Sequence, residues 1–116
     1  MGTSTPIRLA VPDVRRGAVS AAGNGNNELV PAQPHQRINV LGLLLVAAGD
    51  VDVKLTDGPG GANLTGAMSL AVDGNGVVLP MSLPGLPWLR GSVNTALTLN
   101  LSSATAVAGL LVYYVE

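Results

Sequence analysis

Apolar and polar positions alternate with a period of two along much of this chain, which is the spacing of a β-strand whose two faces meet different surroundings. Residues 51–56 and 96–101 show this alternation most clearly, with Val or Leu at every second position. Residues 38–46 and 107–115 are apolar almost throughout, as in strands that are largely buried. No segment has the period of a long amphipathic helix. The pattern therefore predicts an all-β chain.

Segments rich in glycine, asparagine and proline separate the predicted strands. The cluster at residues 57–61 is a strong turn signal. Residues 73–76 read Asp-Gly-Asn-Gly and lie between apolar runs at 68–72 and 77–79, so they predict a β-hairpin. A proline-rich loop follows at residues 80–87 and precedes the next strand.

Strands at this spacing indicate an antiparallel β-sandwich, and we expect a jelly roll within that class. An immunoglobulin-like sandwich is the alternative that periodicity leaves open. Aromatic residues make up only 3% of the chain and phenylalanine is absent, so the core has to be built from leucine, valine and alanine. A core of such small side chains favours support from neighbouring subunits.

The first 35 residues differ in composition from the rest of the chain. They contain four prolines and a Gly/Asn run at residues 23–27, which disfavour regular strands. Apolar residues alternate at positions 7, 9 and 11, which predicts one short extended segment. We therefore predict two parts, an extended N-terminal arm at residues 1–35 and a sandwich domain at residues 36–116.

The small number of charges points to surfaces that are buried by partners. Charged residues are 11% of the chain, against about 25% in an ordinary soluble domain. The net charge of −1 provides no clustered positive field for phosphates, so nucleic acid is not an expected partner. The longest apolar run, residues 40–49, is too short to span a bilayer, so a membrane is not an expected partner either. The chain has no cysteine and therefore no thiol chemistry.

The residues that could carry catalysis or hold a metal ion are few. His35 is the only histidine and has no Ser or Asp at an informative spacing. Asp50 and Asp52 are expected on one strand face, with Asp57 in the following turn, a set that is more typical of a solvated surface than of a calcium site. We therefore expect no enzyme activity, no bound metal and no cofactor.

Five residues are candidates for contacts with a protein partner. Trp88, the only tryptophan, lies in the proline-rich loop, where it would either anchor a partner or cap one end of the core. Arg90 follows closely, and Arg8, Arg15 and Arg16 lie in the predicted arm. Arginine favours paired hydrogen bonds to carboxylates at interfaces, so these residues would dock the arm and loop onto an acidic partner.

Residues 36–116, about two-thirds of the chain, resemble the small jelly-roll head-decoration, or capsid cement, proteins of tailed bacteriophages. The resemblance rests on strand patterning with recurrent turns, and the arm matches no motif of these proteins. The segments that carry it are 38–53, 64–66, 96–102 and 106–114.

This resemblance implies a virion structural protein on the outer surface of the capsid, which binds the major capsid protein and stabilises the shell. It also implies self-association, with a homotrimer as the expected oligomer. Related jelly rolls also occur in tail tips and fibres, so a location in the tail is an alternative to the capsid surface. A carbohydrate-binding module that uses Trp88 and the adjacent loops is the alternative from a different functional class.

Overall fold

A computed structural model describes residues 13–71 and 76–116 of the chain. Within these ranges the regular structure consists of β-strands and contains no helix. The nine strands are β1 Val14–Ala21, β2 Gly25–Val30, β3 Ile38–Ala47, β4 Val51–Asp57, β5 Met68–Leu70, β6 Val77–Leu79, β7 Leu89–Arg90, β8 Leu97–Leu101 and β9 Val107–Val115.

The strands form two antiparallel sheets that pack as a sandwich. Sheet I has the order β1-β9-β3-β6, and the short β7 also pairs with β3. Sheet II has the order β2-β8-β4-β5. With β7 set aside, this interleaved order of eight strands is that of a jelly roll, in which two Greek keys are wound together. The all-β sandwich expected from the sequence is thus confirmed, and its strand order selects the jelly roll over the immunoglobulin-like alternative.

The core lies between the two sheets and is aliphatic. At its centre Leu45 of sheet I faces sheet II, where Val53, Leu55 and Leu99 are, like Leu45, fully inaccessible to solvent. These residues occupy alternate positions of their strands, as the period-two pattern predicts. The inward rows of both sheets therefore supply the hydrophobic burial that stabilises the fold.

The predicted boundary between arm and sandwich needs correction. Residues 1–35 were assigned to the arm, but β1 and β2 lie within that stretch, and each is hydrogen-bonded in a sheet. Strand β1 pairs with β9 over eight residues and buries Val19 and Ala21 in the core. The sandwich therefore begins at Val14. The extended segment predicted around residues 7–11 lies outside the described residues.

The predicted hairpin around residues 73–76 was also wrong. Strand β5, before this segment, pairs with β4 in sheet II, with Val51 opposite Leu70. Strand β6, after it, pairs with β3 in sheet I, with Leu44 opposite Val78. Turn residues indicate that the chain changes direction, but they do not specify whether the next strand stays in the same sheet. Here the chain crosses from one sheet to the other.

The turn predicted at residues 57–61 is confirmed, and glycine is required in it. Gly58 and Gly60 have φ angles of 85° and 71°, which L side chains rarely adopt. The hydroxyl of Thr56 donates a 2.8 Å hydrogen bond to the Gly58 carbonyl. The turn thereby ends β4 and returns the chain along the same strand, where Asn63 forms an isolated bridge with Thr56.

Candidate functional site

The outward face of sheet II is polar, as expected for a surface in water. One row across its strands consists of Asn26, Asn100 and Lys54, and the Asn100 side-chain amide donates to Asn26 Oδ1 at 3.0 Å. A second pair joins β4 to β5, where the Ser69 hydroxyl donates to the Asp52 carboxylate at 2.7 Å. Around these pairs the face is internally hydrogen-bonded, and Asn26, Asp52 and Ser69 are accessible to solvent, whereas Thr56 and Thr98 on the same face are buried.

The outward face of sheet I is apolar. The register of the strands places Ala18, Leu110, Leu44 and Val78 in one row that crosses all four strands. Of these, Leu44, Leu110 and Val78 are 42, 43 and 65% exposed. Val46, two residues along β3, is exposed beside them. Alternation along a strand would normally place polar residues at such outward positions, so this face is unusual for a surface in contact with water.

The loop at residues 80–88 covers the other half of the same face. It leaves the sheet after β6, and its first part is tied to β3 by a 2.9 Å hydrogen bond from the Ser82 amide to the Leu41 carbonyl. It returns where the Trp88 amide donates to the Val40 carbonyl at 2.8 Å. Between these points the Tyr114 hydroxyl, on the outward side of β9, donates to the Pro84 carbonyl. The loop is thus fixed over the sheet at three places.

Three side chains on sheet I become buried beneath or beside this loop. Leu41 and Asn39 of β3 are fully inaccessible, and Tyr114 is almost so. Among the residues that the structure describes, neither polar atom of the Asn39 side chain has a hydrogen-bond partner. Burial raises the pKa of the Tyr114 phenol above its ordinary value, and the Glu116 carboxylate raises it further. The loop therefore closes over a small second layer of packing outside the main core.

The loop presents further apolar groups to solvent. Met81, Leu83 and Leu86 are 62, 68 and 69% exposed, although the segment is held by internal hydrogen bonds such as that from the Leu86 amide to the Leu83 carbonyl. Loop and bare sheet together form one continuous surface, which we name the apolar face. Its members are Leu44, Val46, Val78, Met81, Leu83, Leu86, Trp88 and Leu110.

The apolar face includes a groove. An open groove of about 180 Å³ runs where the loop meets the bare sheet. Its lining is almost wholly apolar and consists of Gly42, Leu43, Leu44, Val78, Leu79, Met81, Leu110 and Val112. Leu83 and Leu86 lie on the loop outside this groove and are largely exposed. Contiguous exposed apolar surface of this kind is typical of interaction sites.

The predicted contact residues take up different positions. Trp88 belongs to the apolar face, where it is 48% exposed and its indole N–H donates to the Pro80 carbonyl at 2.7 Å. Arg90, in β7, is paired at 2.5 Å with Glu116. Arg16 is exposed on the outward side of β1, opposite Val112 at the margin of the apolar face. The structure therefore brings Trp88 and Arg16 to one side of the molecule.

Arg15, the neighbour of Arg16 in β1, extends to the opposite side of sheet I because successive strand residues alternate. It pairs with Asp13 at 3.0 Å, and this hydrogen bond raises the pKa of the guanidinium group. Arg8 lies outside the described residues. The arginine cluster expected on a docking arm is thus divided, and two of its three members belong to a sandwich strand.

The remaining candidates for chemistry, Asp57 and His35, are both hydrogen-bonded to the segment at residues 92–94. Asp57 accepts hydrogen bonds from the amide of Ser92, at 2.9 Å, and from the hydroxyl of the same residue, which ties two loops together. His35 has a φ of 59°, and its amide donates to Asn94 Oδ1 at 2.6 Å. Residues 13–71 and 76–116 contain no group of three or more side chains placed to hold a metal ion. The same ranges contain no helix that is long and apolar enough to cross a membrane.

Replacing Tyr114 by phenylalanine tests the attachment of the loop. Tyr114→Phe removes the hydrogen bond to Pro84, so we expect the free energy of unfolding to fall by about 1 kcal/mol at neutral pH. The raised pKa adds a pH dependence, because the unfolded chain loses the phenolic proton first. The stabilisation from Tyr114 is complete below the ordinary value of 10.0 and is lost as the pH rises through the higher folded-state pKa. Urea titrations at neutral pH and above pH 10 measure both effects.

The neighbouring Tyr113→Phe is the control, because Tyr113 lies on the other side of β9. It is expected to keep the alkaline loss of stability that Tyr114→Phe removes. An identical alkaline profile for Tyr114→Phe and the unmodified chain would contradict the assignment of Tyr114 to the layer beneath the loop.

No protein-family model matches the sequence, and no curated protein matches it significantly. Among solved structures, the chain is similar to one from the cryo-EM structure of the virus-like particle of the extra small virus of the giant freshwater prawn Macrobrachium rosenbergii. The two share 16% sequence identity, and the alignment covers 98% of this chain and 86% of that one, with a TM-score of 0.38. At this score the similarity does not define a common fold, and the jelly-roll assignment rests on the strand order.

Proposed function

We propose that this protein is a structural subunit of a virus particle and acts by packing its apolar face against other protein subunits. The apolar outward face of sheet I is the observation that carries the proposal. Sheet II of the same sandwich has a polar, hydrogen-bonded outward face, so the apolar character belongs to one side and not to the composition as a whole. A side that differs in this way is suited to burial in an assembly.

The jelly roll and the scarcity of charge support the viral part of the proposal. Jelly rolls occur in viral capsids, and also in lectins and cupins, so the fold by itself leaves several functions possible. A total of thirteen charged residues with a net charge of −1 allows many copies to lie close together with little repulsion. Such a role is mechanical and requires no bond-making chemistry, so we propose no enzyme activity.

The more specific form of the proposal is a decoration protein on the outer surface of a phage capsid. It would bind the major capsid protein as an oligomer, which the resemblance implies to be a homotrimer. A modest interface repeated over many copies raises the free energy needed to separate the shell subunits. The bond between loop and sheet at Tyr114 supports this role, because a fixed apolar loop loses little conformational entropy on docking.

The copy number per particle tests the proposal. Quantitative mass spectrometry of purified virus particles compares this chain with the most abundant shell protein. Hundreds of copies per particle are expected for a decoration protein. A handful of copies per particle would indicate that the protein is located at a tail or a vertex. Its absence from particles would contradict a virion role. If the chain is itself the most abundant protein, it forms the shell and the decoration role is wrong.

Sugar binding through Trp88 is the second candidate, and the exposed half of the Trp88 ring favours it. The indole N–H is already bonded to Pro80, so only the ring face would be available for stacking. The rest of the apolar face offers few polar groups to bind hydroxyls. Titration with a panel of glycans, read from Trp88 fluorescence, separates the two functions, because only sugar binding predicts a glycan-dependent change.

A further inference from the structure

We infer that the apolar face packs against the same face of a second copy of this chain, related by a two-fold axis. The inference deepens the proposed function and rests on it, because it names the surface through which the structural subunit associates with itself. It differs from the trimer implied by the resemblance, in which one surface of each copy would contact a different surface of the next.

The positions of the loop and the groove support a two-fold contact. Leu83 and Leu86 of the loop are exposed and do not line the groove, whose lining includes Leu44, Val78 and Leu110 of sheet I. When two copies face each other across a two-fold axis, the loop of each one lies over the groove of the other. Both parts are then covered in a single contact. A ring of three would instead need the two parts to face different neighbours.

Charge and size are also compatible with a second copy. The central row of Ala18, Leu110, Leu44 and Val78 contains no charged residue, so two such faces bring no like charges together at their centre. Four strands about 4.8 Å apart and roughly 25 Å of length along them give this face an area on the order of 500 Å². Two facing copies would bury on the order of 1,000 Å², which is near the lower limit for a specific interface.

A matched pair of lysine variants provides the test. Val78 and Ser69 are each the central, exposed residue of a three-residue edge strand, Val78 in sheet I and Ser69 in sheet II. Sedimentation equilibrium of the full chain over about 1 µM to 1 mM is expected to show a species of twice the 11.7 kDa mass. We expect Val78→Lys to raise the dimer Kd at least about tenfold and Ser69→Lys to change it by less than about twofold.

Cross-linking distinguishes a two-fold contact from other geometries. The chain has no cysteine, so Met81→Cys introduces a single thiol where the loop meets the groove, which is where the two-fold axis of this contact would pass. A two-fold axis brings the two Cys side chains of a dimer close together, and a short bis-maleimide is expected to join them. Ser69→Cys, on the polar face, is expected to remain uncross-linked. This measurement keeps the geometry testable if Val78→Lys alters the stability of the fold.

Three results would overturn the inference. The first is a trimer in which Met81→Cys does not cross-link. The second is an equal effect of Val78→Lys and Ser69→Lys on the association. The third is a full chain that stays monomeric but dimerises when residues 1–12 are removed, which would mean that those residues cover the apolar face. None of these results changes the copy number in particles, so a failure of this inference is distinguishable from a failure of the proposed virion role.

Discussion

Removal of residues 1–24 is expected to unfold the protein, whereas removal of residues 1–12 is expected to leave the sandwich intact. The longer deletion removes β1, which pairs with β9 over eight residues and buries Val19 and Ala21. Its loss exposes the edge of β9 and opens the core at Val107 and Leu111, which are buried beside it. A domain of this kind has a total stability of only about 5–15 kcal/mol, so the loss of a paired and packed strand removes most or all of it.

Circular dichroism, thermal unfolding and the fluorescence of Trp88 compare the two deletions with the full chain. The deletion of residues 1–12 is the matched control, because it shortens the same terminus without removing a described strand. A cooperative unfolding transition for the longer deletion, close to that of the full chain, would show that the sandwich begins after β2, as the composition of residues 1–35 suggested. Loss of the transition in both deletions would mean that residues 1–12 contribute to the fold.

The contrast between β4 and β1 shows why some strands were predicted and others were not. In β4, valine and leucine alternate with polar or charged residues, and this pattern alone predicts a strand with one buried face. In β1 the inward positions include Arg15 and Gly17, and half of β2 is glycine and asparagine. These residues have weak intrinsic preference for strands. They become strands because β9 and β8 supply hydrogen-bond partners from the other end of the chain.

The same limit explains the wrong hairpin prediction. Strands β5 and β6 are close in sequence, so a local turn signal favours pairing between them. In the jelly roll, β5 instead completes sheet II beside β4, and β6 completes sheet I beside β3. Which sheet a strand joins depends on contacts between distant residues, and turn composition does not encode them.

The candidate site was predictable only in part. The low charge and the position of Trp88 in a proline-rich loop indicated that some surface is covered by partners, although the sequence left open whether Trp88 caps the core. In the structure Trp88 belongs to the apolar face. The main members of that face, Leu44 and Leu110, lie in runs that are apolar on both sides, where the sequence does not distinguish a buried residue from an exposed one. Leu44 faces outward because of the bulge between Val40 and Gly42, where the register of β3 against β9 shifts. Leu110 faces outward because it alternates with the buried Leu111 in β9.

Replacing Gly109 by alanine adds only one methyl group, but it is expected to destabilise the protein strongly, and far more than Gly17→Ala in the same sheet. Gly109 lies in β9 between β1 and β3, opposite Val19 and Leu45. A Cβ atom at this position would lie 1.7 Å from the Leu44 carbonyl oxygen and 2.7 Å from the carbon of the same group. Both atoms belong to the backbone of β3, so they cannot move aside without breaking the pairing of β3 with β9. We expect a loss of about 3–5 kcal/mol, most of the reserve of a marginally stable domain.

Gly17→Ala is the matched control for Gly109→Ala, because Gly17 also lies in sheet I and a Cβ there would meet no atom of the described residues within 4 Å. Gly17→Ala should leave the free energy of unfolding unchanged or raise it by up to about 1 kcal/mol, since glycine within a strand carries an entropic cost. Urea denaturation of both variants, monitored by circular dichroism, gives the comparison. Similar stabilities for the two variants would show that β9 lies farther from the Leu44 carbonyl of β3 than the structure places it. A large loss confined to Gly109→Ala would instead show that the close approach of these strands, whose pairing places Leu44 opposite Leu110, is required for the fold.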